Sequence, residues 1–333
     1  MTSVALKELR NTRGETQQEF AEHLNRGLDR SYDGAMVSKW ENGAKSIPGI
    51  VAVFLTKARA KLPAPPGPAA VPGSTRIIAI ANQKGGVGKT ATAVNVAYAL
   101  AKAGFATLII DLDPQANATT HMGLDPAALE DAEATLYHAL LGGRTLADII
   151  VPVSDDVPLS IAPSSIRLTD ADVELISEMG GQFILREQLD SIKAGYAFIV
   201  IDCPPHLGLL TVNALMAATE ILVPCQTEVH SAMGIPQLLK HLEKVKRRGN
   251  PDLRICGILP TLFTKRNSQD VATLQDLHDV YDGQIRVFPP IPRATAYAQA
   301  AAAGRVTIEA IPNAAGAEVY RAIAAELIGA HHG

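Results

Sequence analysis

The stretch that most constrains this chain is Asn82-Gln83-Lys84-Gly85-Gly86-Val87-Gly88-Lys89-Thr90. A short apolar, β-branched run at 76–81 precedes it, and an alanine-rich stretch at 91–103 follows, ending before Gly104. The first pattern predicts a buried strand and the second a helix. A strand, a glycine turn and a helix start, in that order, aim free backbone N–H groups and the positive end of a helix at an anion. Lys89 adds charge to such a phosphate cradle, and the Thr90 hydroxyl suits Mg²⁺. Lys84 is a second lysine, where an ordinary cradle needs one. Its place on the near side of the loop fits a phosphate that its own loop does not hold. The strict spacing Gly-x4-Gly-Lys-[Ser/Thr] fails because Gln83 stands at its first glycine, but the strand–loop–helix context restores the reading.

After this loop, apolar strand candidates alternate with helical stretches. The strands are expected at 76–81, 106–111, 159–163, 197–202, 221–224, 254–259 and 285–288. The helices are expected at 91–103, 136–141, 181–192, 209–217, 232–248, 268–281 and 314–327. Near-continuous apolar strands between helices imply an α/β fold with a mostly parallel sheet and helices on both faces. Ligands of such sheets sit at the carboxyl ends of the strands. Two predicted strands end there in aspartate: 107–110 runs into Asp111-Leu112-Asp113-Pro114-Gln115, and 198–201 runs into Asp202-Cys203-Pro204-Pro205. Each aspartate alone reads as a helix cap or turn residue. Two of them beside a phosphate cradle read as carboxylates serving Mg²⁺ through its waters.

Asn-Gln-Lys-Gly-Gly-Val-Gly-Lys-Thr closely resembles the deviant Walker A motif of the ParA/MinD ATPases, the ParA branch in particular. Asp-x-Asp-Pro-Gln and Asp-x-Pro-Pro follow in the family's order. The resemblance implies a P-loop NTPase that hydrolyses ATP with Mg²⁺. It places nucleotide contacts at Lys84, Gly85, Gly86, Val87, Gly88, Lys89, Thr90 and Ala91. Thr90, Asp111 and Asp202 serve the metal, and Lys84, Lys89 and Asp113 serve catalysis, Asp113 by orienting the attacking water. The early lysine, Lys84, reaches the ATP of a partner subunit, so two nucleotides are sandwiched in a homodimer. The resemblance further implies a ParB-like centromere-binding partner, nonspecific DNA binding and a cytoplasmic, nucleoid-associated protein. Residues 207–214 resemble the second switch. Thr261-Leu262-Phe263-Thr264 resembles a base-side loop, and Ile291-Pro292-Arg293 a segment that puts Arg293 among DNA contacts. Ala91, Thr264 and His206 depart from the residues common in the family.

The run 63–75 is rich in Pro, Gly and Ala, which predicts an extended linker. It divides the chain into 1–62, 63–75 and 76–333. Residues 1–62 hold ten Lys/Arg against seven Asp/Glu, and the remainder twenty against twenty-seven. This asymmetry favours nucleic-acid contact by the N-terminal part. Thr16 and Glu19 form a capping box ahead of Phe20, Ala21 and Leu24. A short helix follows at 36–43, with Val37 and Trp40 facing a core and Ser38, Lys39 and Asn42 free. A fourth helix is expected from Ile47 to about Lys61. These segments resemble the Cro/phage-repressor helix-turn-helix, with roughly six extra residues within 25–33. The resemblance makes the N-terminal unit a small all-α DNA-binding domain, with Gln17, Gln18, Ser38 and Lys39 as DNA contacts. A helical dimerisation module is the alternative for this unit. The basic run 244–248 fits either a helix C-terminus or a phosphate-contacting patch.

Other classes fit poorly. No apolar run reaches about 18 residues, so no membrane span is expected. Lys7, Glu8, Arg10 and Arg13 interrupt any leader-like segment. Cys203, Cys225 and Cys256 lack metal-ligand spacing, which argues against a cluster-bearing reductase. The alanine-rich C-terminus lacks the basic amphipathic helix of a membrane-bound relative. The remaining alternative is an ATP-sensing transcriptional repressor with no transport role.

Overall fold

The computed structural model describes residues 3–28, 30–45, 47, 48, 51, 54, 55, 75–154, 156–228 and 234–331. The expected linker, apart from Thr75, and ten of the fifteen residues of the expected fourth helix lie outside the described residues.

Among the described residues, seven strands form one sheet in the order β3-β4-β2-β5-β1-β6-β7. These are β1 (Arg76–Ile80), β2 (Thr107–Asp111), β3 (Val151–Pro152), β4 (Leu159–Ala162), β5 (Phe198–Asp202), β6 (Glu220–Gln226) and β7 (Arg254–Thr261). All neighbours pair in parallel except β3, which runs antiparallel to β4. Alternation along each strand splits the apolar residues between two cores, because successive side chains point to opposite faces. Ile77, Ala79, Leu108, Ile110, Ile199 and Ile201 fill one core. Ile78, Ile80, Ile109, Phe198 and Val200 fill the other. The helices Leu168–Ser177, Ile184–Asp190, Leu209–Ala217 and Ile235–Arg248 bury apolar faces in the first. The helix Lys89–Lys102 and the C-terminal helix Ala317–His331 bury theirs in the second.

Three features differ from the sequence expectation. The strand expected at 285–288 is only a bridge between Val287 and Ile258. Pro289 and Pro290 follow at once, and without N–H groups they cannot continue the ladder. The edge strand β3 and several short helices, such as Asn117–His121 and Pro126–Asp131, lack the length that makes periodicity legible. In the N-terminal unit, the second helix runs Gln17–Leu28, so residues 25–28 of the expected extra turn are helix. Asn25 explains the tight turn that remains. Its amide donates to the Tyr32 carbonyl (2.8 Å) and accepts from the Tyr32 N–H (2.7 Å).

Elsewhere this unit follows expectation. Thr16 and Glu19 exchange both capping-box bonds. Leu6, Phe20, Leu24, Val37 and Trp40 form a separate buried cluster. Arg10, Gln17 and Glu41 join the three helices Ser3–Thr12, Gln17–Leu28 and Gly34–Glu41 by side-chain hydrogen bonds.

The base of the sheet is held by a nearly buried ion pair. Arg76, the first residue of β1, donates to Glu220 of β6 through Nε (2.9 Å) and Nη2 (2.6 Å), and through Nη1 to the Leu327 carbonyl of the C-terminal helix. Removing one member strands the other charge in low dielectric. Glu220→Ala is therefore expected to lower unfolding free energy by about 3–5 kcal/mol, read as a lower urea midpoint; a change under about 1 kcal/mol would refute the account.

Candidate functional site

The loop between β1 and the helix Lys89–Lys102 is a tight turn of backbone built on glycine. Gly86 and Gly88 adopt φ of 73° and 82°, which a side chain would strain. No side chain caps the helix N-terminus, so its N–H groups remain available to an anion. Three neighbours fix the loop. Asn82 donates to the Pro224 carbonyl (2.6 Å) and accepts from the Lys84 N–H (3.1 Å). Thr261, at the end of β7, donates to the Val87 carbonyl (2.8 Å). The buried Lys89 turns inward and donates to the Lys84 carbonyl (2.9 Å).

The two lysines point to different places. Lys84 extends to Glu228, with Nζ 2.8 Å from Oε2, and this pair is 36% and 51% exposed. Such an exposed pair is worth no more than about 1 kcal/mol, so it is easily exchanged for a stronger anion.

The carboxylates gather beside the inward lysine. Asp111 and Asp202 end β2 and β5 and are direct partners in the parallel register. Both are fully buried, and Asp113 is nearly so. Burial, then the neighbouring Asp113 carboxylate, pushes Asp111 up to about 7, against hydrogen bonds from the Thr119 hydroxyl (2.6 Å) and N–H (2.7 Å). Burial and the adjacent Asp111 push Asp202 well above the carboxylate range, and Thr90 and Lys89 only partly offset this. Neither Asp202 oxygen has a formed hydrogen bond; the Thr90 hydroxyl lies beside the carboxylate without closing one. Burial pulls Lys89 down, opposed chiefly by Asp202.

An orphaned buried carboxylate beside a hydroxyl and a second carboxylate fits a hard cation. Among the described residues no cluster of three or more His, Cys, Asp or Glu side chains could hold a metal unaided. Mg²⁺ needs no such cage, since it keeps waters and takes one or two carboxylates with substrate phosphates. The residues present therefore fit Mg²⁺ held with a phosphate, by Thr90 and by Asp202 and Asp111 through water.

Of the residues expected from sequence, the structure brings together Lys84 through Ala91, Asp111, Asp113 and Asp202. Ala91 lies in the helix's first turn, where its carbonyl accepts from Asn95 (2.7 Å). The other candidates stand elsewhere. Gln17 donates to Glu41 (2.7 Å), and Gln18 accepts from the Gly34 N–H (3.0 Å), so both amides hold helices together. Lys39 and Arg293 are exposed, and Ser38 is half-buried. Sequence reasoning missed Thr119, Ser164 and Glu228. Ser164 donates to the Asp113 carbonyl (2.8 Å) and, through its N–H, to Thr119 (2.9 Å). Only its position just past the end of β4 signalled it.

A phosphate loop on a parallel sheet, with strand-end aspartates beside it, defines a P-loop nucleotide hydrolase. A protein-family profile described as an AAA domain matches residues 75–255. The sporulation initiation inhibitor protein Soj of Bacillus subtilis is 36% identical over 252 residues, covering 76% of this chain and 98% of that protein. The chromosome partitioning protein ParA of Myxococcus xanthus is 39% identical over 254 residues, covering 76% and 88%. Cobyrinic acid a,c-diamide synthase from Mycobacterium smegmatis, solved with ADP and magnesium, is 33% identical, with a TM-score of 0.65 over 76% of this chain and 94% of that one. The chain belongs to the Soj/ParA family of partition ATPases.

Asp202→Asn keeps the shape of the orphaned carboxylate and removes its charge. The ligand-free variant is expected to melt at the wild-type temperature or up to about 4 °C above it. It should lose the stabilisation that Mg²⁺ adds in the presence of a nucleoside triphosphate. Scanning fluorimetry reads both effects, and a wild-type Mg²⁺ response would exclude Asp202 from the metal site.

Proposed function

We propose that this chain is an ATP-driven DNA-partition switch that pairs on binding ATP and separates after hydrolysis. It is an ATPase that uses ATP with Mg²⁺. The observation that carries the finer reading is the divergence of the two loop lysines. Lys89 is folded into its own cradle, whereas Lys84 extends outward from it to an exposed carboxylate. An outward lysine on a phosphate loop suits the nucleotide of a second chain.

The chemistry then rests on positioning. The loop N–H groups, the helix N-terminus and Lys89 hold the phosphates. Thr90 and Asp202 would hold Mg²⁺, which neutralises charge on the phosphate oxygens when bound. Asp113, fixed through its carbonyl by Ser164, orients water in line with the terminal phosphate and takes up its proton as the bond to the leaving ADP oxygen breaks. Lys84 leaves Glu228 for the partner's phosphates. The paired form binds DNA without sequence preference, with Arg293 among its contacts, and a ParB-like centromere-binding partner stimulates hydrolysis.

The N-terminal helical unit supports a second role, binding an operator and repressing its own expression. Lys39 and Ser38 on the helix Gly34–Glu41 are better placed for this than Gln17 and Gln18, whose amides are engaged.

Sedimentation with a non-hydrolysable ATP analogue and Mg²⁺ tests the core of the reading. Wild type should pair and Lys84→Ala should remain single; equal pairing by the two would remove the trans-lysine role. Asp113→Ala should pair with ATP yet turn over at least about 100-fold more slowly, and normal turnover would reassign that residue. In footprinting upstream of its own gene, Lys39→Ala should lose specific protection while retaining nonspecific DNA binding. An undiminished footprint would move operator reading elsewhere.

A further inference from the structure

The loop after Asp202 runs beside the phosphate loop and has no local means of holding its far end. Pro205 lies next to Gly85, where a Cβ would stand 3.8 Å from the proline side chain. Sheet bonds fix the near end: the Cys203 N–H donates to the Ile80 carbonyl (3.2 Å), and the Asp202 carbonyl accepts from the Leu112 N–H (3.0 Å). The far end opens the helix Leu209–Ala217, whose N-cap, Gly208, offers no side-chain acceptor. The first N–H groups of a helix then need an acceptor from elsewhere.

Asp172 supplies it from 38 residues earlier in the chain. One carboxylate oxygen accepts from the Leu210 N–H (2.8 Å), and the other lies 2.8 Å from His206 Nε2. The Thr211 hydroxyl donates to the His206 carbonyl (2.6 Å), so His206 is held by backbone and side chain alike. Gly208 leaves room for this clasp, since a Cβ there would collide with the Asp172 carboxylate. Asp172 is itself well anchored. Its helix, Leu168–Ser177, buries Leu168, Ala171 and Leu175. The chain that leads into that helix carries Ser164, which donates to the Asp113 carbonyl (2.8 Å). One segment after β4 therefore grips both aspartate loops at the phosphate end of the sheet.

We propose that Asp172 and His206 are positioning residues for ATP hydrolysis, which set the loop that runs from Asp202 past Gly85. Their clasp fixes where Pro205 meets the phosphate loop and keeps the backbone that carries Asp202 from shifting as the phosphates rearrange. Positioning dominates phosphoryl transfer, and a misplacement of about 1 Å costs up to about 100-fold in rate. Lys89 and the N–H groups of the phosphate loop lie outside the clasp, so its loss falls on the transition state and spares nucleotide binding. The inference deepens the ATPase reading and rests on Asp202 serving the metal, which the melting of Asp202→Asn tests separately.

Steady-state ATP hydrolysis by the full chain with Mg²⁺ tests the clasp. Asp172→Ala should lower kcat about tenfold while KM for ATP stays within about twofold. Hydrogen exchange at the Leu210 amide should rise at least about tenfold in the same variant. Asp172→Asn keeps an acceptor for that amide and should retain most of the wild-type kcat. His206→Ala should lower kcat about threefold, and His206→Gln, which keeps a nitrogen donor at similar reach, should restore it. His206 is 53% exposed, so its alanine variant should melt within about 3 °C of wild type, which separates a rate effect from unfolding. Wild-type kcat in Asp172→Ala would overturn the positioning role. So would a loss shared equally by kcat and ATP affinity that Asp172→Asn fails to rescue, which would leave Asp172 a structural cap. A wild-type Mg²⁺ response in Asp202→Asn would overturn the metal reading beneath it instead.

Discussion

Parallel pairing of β2 with β5 sets Asp111 beside Asp202 at the carboxyl edge of the sheet, and the site's behaviour follows from that register. Neighbouring strands lie about 4.8 Å apart, so two carboxylates at matched positions cannot avoid each other. Both are sealed from water, and Lys89 supplies the nearby positive charge. The protein therefore holds an acidic site that is electrostatically incomplete, with Asp111 raised to about 7 and Asp202 raised well above the carboxylate range. A divalent cation with a phosphate chain completes it. Binding energy for the ligand is stored in the register of the sheet, because the scaffold forbids the carboxylates from relaxing apart.

Around this centre the loops are held by long-range bonds that link different strands. Thr261 of β7 holds Val87, Asn82 holds the Pro224 carbonyl of β6, and Ser164 after β4 holds Asp113. The first two bonds join the loop to strand residues already fixed by pairing, and the third joins its loop to the chain just past a paired strand. Precision at the phosphates is thus inherited from the sheet and needs little rigidity in the loops themselves. Lys84 is the exception. Its partner Glu228 lies on a loop just past β6, and the pair is half in water.

Much of this was legible in the sequence because it is local. The glycine loop, the aspartates that close apolar runs and the Thr16–Glu19 capping box are all read from residues a few positions apart. What escaped is nonlocal. Thr119 lies eight residues past Asp111 with no pattern to mark it, and Ser164 acts on a loop 51 residues away. Gln17 and Gln18 were attractive DNA contacts as types, but tertiary partners, Glu41 and Gly34, occupy their amides. His206 looked like an unexplained departure until the fold placed Asp172 beside it.

The base of β1 has a mechanical meaning. Thr75 donates to the Lys193 carbonyl (2.8 Å), and Arg76 is bound to Glu220 and to Leu327. These contacts stand where the chain enters the sheet, at the far end of β1 from the phosphate loop. A load arriving from the N-terminal side meets them first, and then the hydrogen bonds of β1 to β5 and β6, which a pull along the strand shears together. Tension is spread into the sheet before it can reach Gly85. The nucleotide loop is thereby set apart from tension that enters the sheet ahead of Thr75.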